Sequence, residues 1–267
     1  MNKLKKHFVT VNSDFREGRV ILLRERFTIQ KKIKNAILYS TALGIYEARI
    51  NREKVGKQVF APGYTYYPYR LLYEENNVKS LIKDGENELI ITLNGGWYCG
   101  RYTFDNKTQI YGEKEAVSFI LTLEYEDGSK EEIFSSESTE ELSSPWDYAG
   151  FYDGEVFDGE RDIKLIGKCI PYSIKDGVML EPTLCSVEYH ETLMPQKVWE
   201  KDGVTLIDFG QNHAGVPVID TSLLKEGETI TIRSAEILDK NGNLYRGNLR
   251  KAKSTILYTK GDYEGEY

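Results

Sequence analysis

Carboxylates crowd one stretch of this chain: Asp153, Glu155, Asp158, Glu160 and Asp162 follow one another beside the rings of Phe151, Tyr152 and Phe157. Glycoside hydrolysis requires two carboxyl groups flanking a scissile bond, and the spacing here permits a test of that chemistry. Residues two apart on a strand lie about 6.7 Å apart, inside the separation of an inverting pair. Both side chains then leave one face side by side, whereas a general acid and a water-activating base approach the sugar from opposite sides. The cluster is therefore read as a sugar-contacting or cation-binding rim, or as structural pairing and loop solvation, ahead of a catalytic pair.

The same stretch belongs to an ordered set of three glycine-punctuated aromatic segments: Asn94–Arg101 (Asn-Gly-Gly-Trp-Tyr-Cys-Gly-Arg), Gly150–Asp158 (Gly-Phe-Tyr-Asp-Gly-Glu-Val-Phe-Asp) and Asp208–Gly215 (Asp-Phe-Gly-Gln-Asn-His-Ala-Gly). Each sets an aromatic ring and a polar group beside residues free to turn. A pyranose offers an apolar face to such a ring and hydroxyls to carboxylates, amides and guanidinium groups. Trp97, Tyr98 and Arg101 form the first candidate group, one ring stacking while the guanidinium fork donates to hydroxyls. Tyr152 and Glu155 form the second. The structural reading of the same residues is strand-end rings closing a core, with glycines making the turns.

Other chemistries are poorly served. His7, His190 and His213 sit in unrelated contexts, no Gly-x-Ser-x-Gly elbow occurs, and no HxH or HExxH spacing offers a metal site. Gly95, Gly96 and Gly100 match neither phosphate-cradling pattern. Cys99, Cys169 and Cys185 are odd in number and widely spaced, so they are read as free thiols rather than a disulfide framework or a CxxC site. Asn106–Thr108 fits the glycosylation sequon, which carries no meaning in a chain that is not secreted.

The elements that must position these groups are strands. Nineteen tyrosines, with Ile, Val and Thr in short runs separated by Gly, Asn and Asp, predict β structure almost throughout. The clearest strands are 36–40, 46–50, 88–93, 118–125, 131–134 and 229–234, and a short helical turn fits around Val78 to Lys83. Leu89, Ile90 and Ile91 read as a strand covered on both sides, whereas Ile230 and Ile232 alternate with polar neighbours, the period of a strand buried on one face. Asp127-Gly128 and Asn241-Gly242 mark hairpins, and Asp84-Gly85, Asp176-Gly177 and Asp202-Gly203 repeat the signal. The polar run 135–144 reads as an exposed loop. Antiparallel sandwiches or jelly rolls follow, in two domains, 1–178 and 179–267, divided where Asp176-Gly177 and Glu181-Pro182 interrupt the pattern.

Charge and hydropathy narrow the partners. The net charge of -7, from 35 Lys and Arg against 42 Asp and Glu, opposes nucleic-acid binding. No apolar run approaches a bilayer's thickness, so no membrane insertion is expected. The basic start, Met1 to Phe8, is followed by no apolar h-region, which points to the cytoplasm.

These residues together resemble the N-terminal, non-catalytic region of bacterial α-L-rhamnosidases, the glycoside hydrolases (family 78-like) with a helical catalytic barrel. Leu43–Asn51, Val55-Gly56, Ala61–Gly63 and Tyr67 resemble the family's early strand pair and the segment after it. Asn94–Arg101 resembles its Gly-Trp-Tyr turn, Tyr152–Asp158 its Tyr-x-Gly-Glu-x-Tyr-Asp segment, and Asp208–Gly215 its Phe-Gly-Gln-Asn entry to the second sandwich. Ala235–Asp239, Leu244-Tyr245 and Asn248–Arg250 continue the series. The chain departs from the pattern at Asn51-Arg52, in place of an Asn-Gly turn, at Tyr64, in place of tryptophan, and at Asn94, shifted within its turn.

The resemblance implies an all-β chain of two sandwiches, a jelly-roll of galactose-binding-like type and a concanavalin-like one incomplete at its C-terminal end, with few short helices. Related modules bind rhamnose through a calcium ion held by Asp and Asn side chains; with the departures above, no metal is assigned. The family's catalytic acids lie in an (α/α)6 barrel beyond the second sandwich, and no segment here carries that barrel's long helical period. An accessory region, inert alone, is thus expected, its partners being a rhamnosylated carbohydrate and the missing C-terminal barrel of a parent that hydrolyses terminal α-L-rhamnosides. The apolar surface that would face the barrel favours a homo-oligomer. A stand-alone lectin-like rhamnose- or carbohydrate-binding module is the alternative, and a purely structural scaffold the third reading.

Overall fold

The structure, a computed structural model, describes residues 3–102 and 105–261. Met1, Asn2 and Tyr267 lie outside the described residues. The chain is all-β: among the described residues the helical segments are the short 3-10 turns Leu4–Lys6, Lys79–Leu81 and Gly247–Leu249. None is long and apolar enough to cross a membrane.

Two sheets face each other over the main core. A seven-stranded sheet runs Ile170–Pro171, Val9–Thr10, Ala116–Tyr125, Ile33–Leu43, Arg70–Asn77, Met179–Pro182, with Lys130–Phe134 also pairing to Ala116–Tyr125. A six-stranded sheet runs Leu165–Lys168, Glu140–Leu142, Val20–Ile29, Gly85–Asn94, Ile45–Ile50, Glu53–Lys54. Leu38, Phe119 and Leu121 from the first meet Leu23, Ala48, Leu89, Ile91 and Leu93 from the second in one buried cluster. Burying apolar faces against each other is the driving term, roughly 25 cal/mol for each Å² removed from water. The Asp127-Gly128 turn joins Ala116–Tyr125 to Lys130–Phe134 as a hairpin, as its chemistry implies.

Two local expectations turn out differently. Leu89 and Ile91 are buried but Ile90 is only half-buried, so this apolar run is covered on one side. Ile90 lies in register with Arg24 and Arg49, whose aliphatic stems can shield an outward-facing isoleucine. The polar run 135–144 is part turn and part strand rather than an exposed loop throughout: Glu137 and Ser138 are exposed, but Ser135 and Thr139 are buried and Glu140–Leu142 is a strand. Its hydroxyls are satisfied inside: Ser135 Oγ donates to His7 O at 2.6 Å and accepts from Phe119 N at 3.0 Å, and Thr139 Oγ1 donates to Glu25 Oε2 at 2.7 Å.

Two pairings join the halves of the chain. Met179–Pro182, on the far side of the expected 178/179 division, pairs in parallel with residues 70–73 of the seven-stranded sheet. A four-stranded sheet runs Trp146–Gly150, Gly154–Asp158, Thr255–Thr259, Thr229–Arg233, and its central pair is parallel. Ile230 and Ile232 are half-buried while Thr229, Thr231 and Arg233 are exposed, in keeping with their alternation. Two further hairpins turn at Asp202-Gly203 and Asn241-Gly242.

At Asn51-Arg52 the chain reverses between Ile45–Ile50 and Glu53–Lys54 with φ of 51° and 75°. Asn51 suits this region, and its side chain donates to Leu81 O and Asn87 Oδ1 while its Oδ1 accepts from Glu88 N. Arg52 does not suit it, because Cβ crowds the backbone at positive φ. Arg52→Gly should raise unfolding stability by about 1 kcal/mol, read from the midpoint of urea denaturation; an unchanged or lower midpoint would show that Arg52 carries no strain at this turn.

Candidate functional site

The turn Asn94–Arg101 buries one of its two rings and half-buries the other. Asn94 holds it, accepting from Gly96 N at 3.0 Å through Oδ1 and donating through Nδ2 to Arg19 O at 2.9 Å and Ala149 O at 3.1 Å. The loop then closes so tightly that a Cβ on Gly100 would stand 2.5 Å from Gly96 O, which requires glycine there. Tyr98 turns inward. It is 8% exposed, its ring packs 5.2 Å from Tyr67, and burial pushes its phenol pKa up. Trp97 is half-buried: it packs against the same cluster as Tyr98, and its ring lies 4.6 Å from Phe151, 6.0 Å from Tyr64 and 6.1 Å from Phe60.

Around Trp97 the surface is aromatic. Phe60, Tyr64, Tyr66, Tyr69 and Phe151 are exposed, and Tyr64 and Tyr111 join hydroxyls at 2.9 Å. Sequence reasoning did not single out these rings as a group. The signal was the aromatic density between Phe60 and Tyr69, which only the fold brings beside Trp97.

Arg101 and Tyr152 come together, but facing each other. Arg101 Nη1 donates to Asp153 Oδ2, Nη2 donates to Lys251 O at 3.4 Å, and the guanidinium lies 5.2 Å from the centre of the Tyr152 ring. Its side chain is 11% exposed and that of Asp153 14%, so the fork is directed into the protein. Tyr148 OH lies 2.8 Å from Glu17 Oε1 and 3.1 Å from Asp153 Oδ2, one phenolic hydrogen shared between two carboxylates. Burial and those two charges push the Tyr148 phenol pKa up. Arg101 Nε and Asp153 Oδ1 are buried with no partner among the described residues.

Glu155 lies on the next strand and is held by Trp146, whose Nε1 donates to Oε2 at 3.1 Å. Desolvation raises its carboxyl pKa above the ordinary value, with the indole bond opposing in part. The other acids of the stretch are also in local pairings: Asp158 accepts from Glu160 N at 3.1 Å and faces Arg161 at 3.7 Å, and Asp162 pairs with Lys164 at 3.0 Å. Among the described residues no group of three or more His, Cys, Asp or Glu side chains is placed to hold a metal. The third segment keeps to local bonds, Gly210 N donating to Asp208 Oδ1 at 2.8 Å, and its His213 is exposed with Nδ1 3.2 Å from Gln211 O.

Residues 31–166 match the family of α-L-rhamnosidase N-terminal domains, and residues 199–267 match the bacterial α-L-rhamnosidase concanavalin-like domain. The chain belongs to the bacterial α-L-rhamnosidase family. It is similar to an α-L-rhamnosidase of Streptomyces avermitilis, 34% identical over 261 residues, covering 92% of this chain and 25% of the relative. Its fold is similar to the α-L-rhamnosidase of Dictyoglumus thermophilum at a TM-score of 0.83 and 28% identity, covering 97% of this chain and 32% of that one. It is likewise similar to the structure of the Streptomyces avermitilis α-L-rhamnosidase complexed with L-rhamnose, at 0.77 and 30%, covering 92% and 25%. The chain thus spans about a quarter to a third of the length of these relatives.

Glu155 yields a pH prediction. Its folded carboxyl titrates above the ordinary 4.5, so the native state keeps a proton that the unfolded chain has already lost. The ionised group therefore subtracts stability at neutral pH, and the loss is relieved as pH falls toward and below 4.5. Glu155→Gln should exceed the parent in stability at pH 7, with the gain shrinking on acidification, in denaturation curves across that range. A gain that grows toward low pH would contradict the assignment.

Proposed function

We propose that this chain is the accessory β-sandwich region of an α-L-rhamnosidase, and that the groups breaking the glycosidic bond lie in a helical barrel elsewhere in the polypeptide. The full polypeptide acts, on this reading, on terminal α-L-rhamnosides. The observation that carries the reading is the pairing of Asp153, Glu155, Asp158 and Asp162 with structural partners, in a chain whose relatives are three to four times as long. Asp153 and Glu155, the residues nearest to a catalytic pair in sequence, are tied to Arg101 and to Trp146.

Carbohydrate contact, where this region makes it, belongs to the exposed rings around Trp97. Tyr98 is in the core, Arg101 and Glu155 have their polar groups turned to protein partners, and the Tyr152 ring is covered on one face by the Arg101 guanidinium. Phe60, Tyr64 and Phe151 supply the flat apolar faces that suit a sugar ring. The cytoplasm is the compartment we assign, supported by three unpaired cysteines, two of them buried.

Incubated with an aryl α-L-rhamnoside, the chain should release no product above background, while a polypeptide extended to the length of its relatives should hydrolyse the same compound; robust turnover by these residues alone would overturn the proposal. Titration with L-rhamnose, with and without calcium, tests the aromatic surface separately. Saturable binding lost in Trp97→Ala would place the sugar there, whereas binding that survives the substitution would move it elsewhere.

A further inference from the structure

The first two glycine–aromatic segments are clasped to each other by two parallel rungs. One is aromatic, half-buried Trp97 against exposed Phe151 at 4.6 Å; the other is the buried ion pair, Arg101 against Asp153. The backbone on either side of Asp153 is joined in turn to the C-terminal half of the chain. Ser254 N donates to Tyr152 O and Thr255 N to Asp153 O, each at 3.0 Å, Arg101 reaches Lys251 O, and Gly154–Asp158 pairs in parallel with Thr255–Thr259. On the first sandwich's side, Asn94 and Gly18 O fix Ala149, and Tyr148 reaches Glu17.

A parallel pair cannot be closed by a tight turn, so nothing local in sequence holds residues 255–259 beside 154–158. The antiparallel partner of Thr255–Thr259 is Thr229–Arg233, whose own far edge has no strand beyond it in this sheet among the described residues. The order of the C-terminal segment thus depends on a strand lent from the region that matches the N-terminal domain family.

We propose that this clasp is a conformational coupling device: the first sandwich, acting through Arg101, Asp153 and the strand Gly154–Asp158, sets whether residues 229–259 are ordered. The aromatic rung places Trp97 and Phe151 on the same two turns as the buried ion pair, so the aromatic surface and the order of the second region are mechanically linked. This inference rests on the sheet and its contacts, and it stands whether or not the chain contacts sugar.

Gly154 gives the sharpest test in the full chain. It has φ +89° and a Cβ there would meet Thr255 O at 2.1 Å, whereas Gly128, at φ +83°, has open space around it. Alanine at either position carries similar backbone strain, and only Gly154→Ala obstructs the clasp. Peptide-level hydrogen exchange should show amides in 229–259 exchanging about tenfold or more faster in Gly154→Ala and in Arg101→Gln, with 33–43 and 116–125 unchanged and Gly128→Ala like the parent. Two results would overturn the proposal. One is parental exchange of 229–259 in both clasp variants; the other is a loss of protection shared equally by 33–43 and 116–125, which would mean general destabilisation rather than coupling.

Discussion

One parallel strand pair, Gly154–Asp158 beside Thr255–Thr259, is the interaction on which the arrangement of this chain depends. The thirteen strands of the first two sheets close a core of their own without any strand from beyond Pro182. The C-terminal residues differ: apart from two short hairpins and the 3-10 turn Gly247–Leu249, the regular structure described beyond Pro182 is attached to a strand that comes from the first half. Large apolar side chains such as Leu184, Val218 and Leu223 remain exposed there, so burial supplies little of the order and backbone pairing must supply more.

That constraint explains why the glycine–aromatic segments look like a binding site in sequence and act mainly as a joint in the fold. Rings, a guanidinium and carboxylates are the groups that recognise sugars, and they are equally the groups that close a partly buried polar seam. At Arg101 the second use wins, because its fork meets Asp153 and its flat face meets Tyr152. At Trp97 the two uses meet, since the half-buried ring packs against the core cluster that holds Tyr98 and also touches the exposed rings of Phe151 and Phe60. A nearly buried ion pair of this kind adds little net stability against an apolar alternative, yet removing one partner is costly, which suits it to specifying one geometry.

Much of the fold was legible in the sequence for physical reasons that can be named. Alternation placed Thr229–Arg233, and Asp127-Gly128 and Asn241-Gly242 located hairpins because both turns need residues tolerant of positive φ. The family resemblance through Asn94–Arg101, Tyr152–Asp158 and Asp208–Gly215 led to the assignment that the matched domains support. What failed to show was long-range. Neighbouring rings at 97 and 98 look alike in a string, and only the closed turn decides that Tyr98 is buried and Trp97 half-buried. Ser135 and Thr139 looked solvated because their satisfying partners, His7, Phe119 and Glu25, are remote in sequence. Parallel pairing leaves no local mark at all.

The most direct test is therefore of that pairing itself, in the unmodified chain in solution. Nuclear Overhauser contacts across the parallel strands, between the backbones of Val156 and Leu257 and of Phe157 and Tyr258, should appear alongside those of the Ile33–Leu43 and Ala116–Tyr125 ladder. If the ladder contacts are present and the Val156–Leu257 and Phe157–Tyr258 contacts are missing, the two halves do not share a sheet, and no clasp joins the first sandwich to residues 229–259.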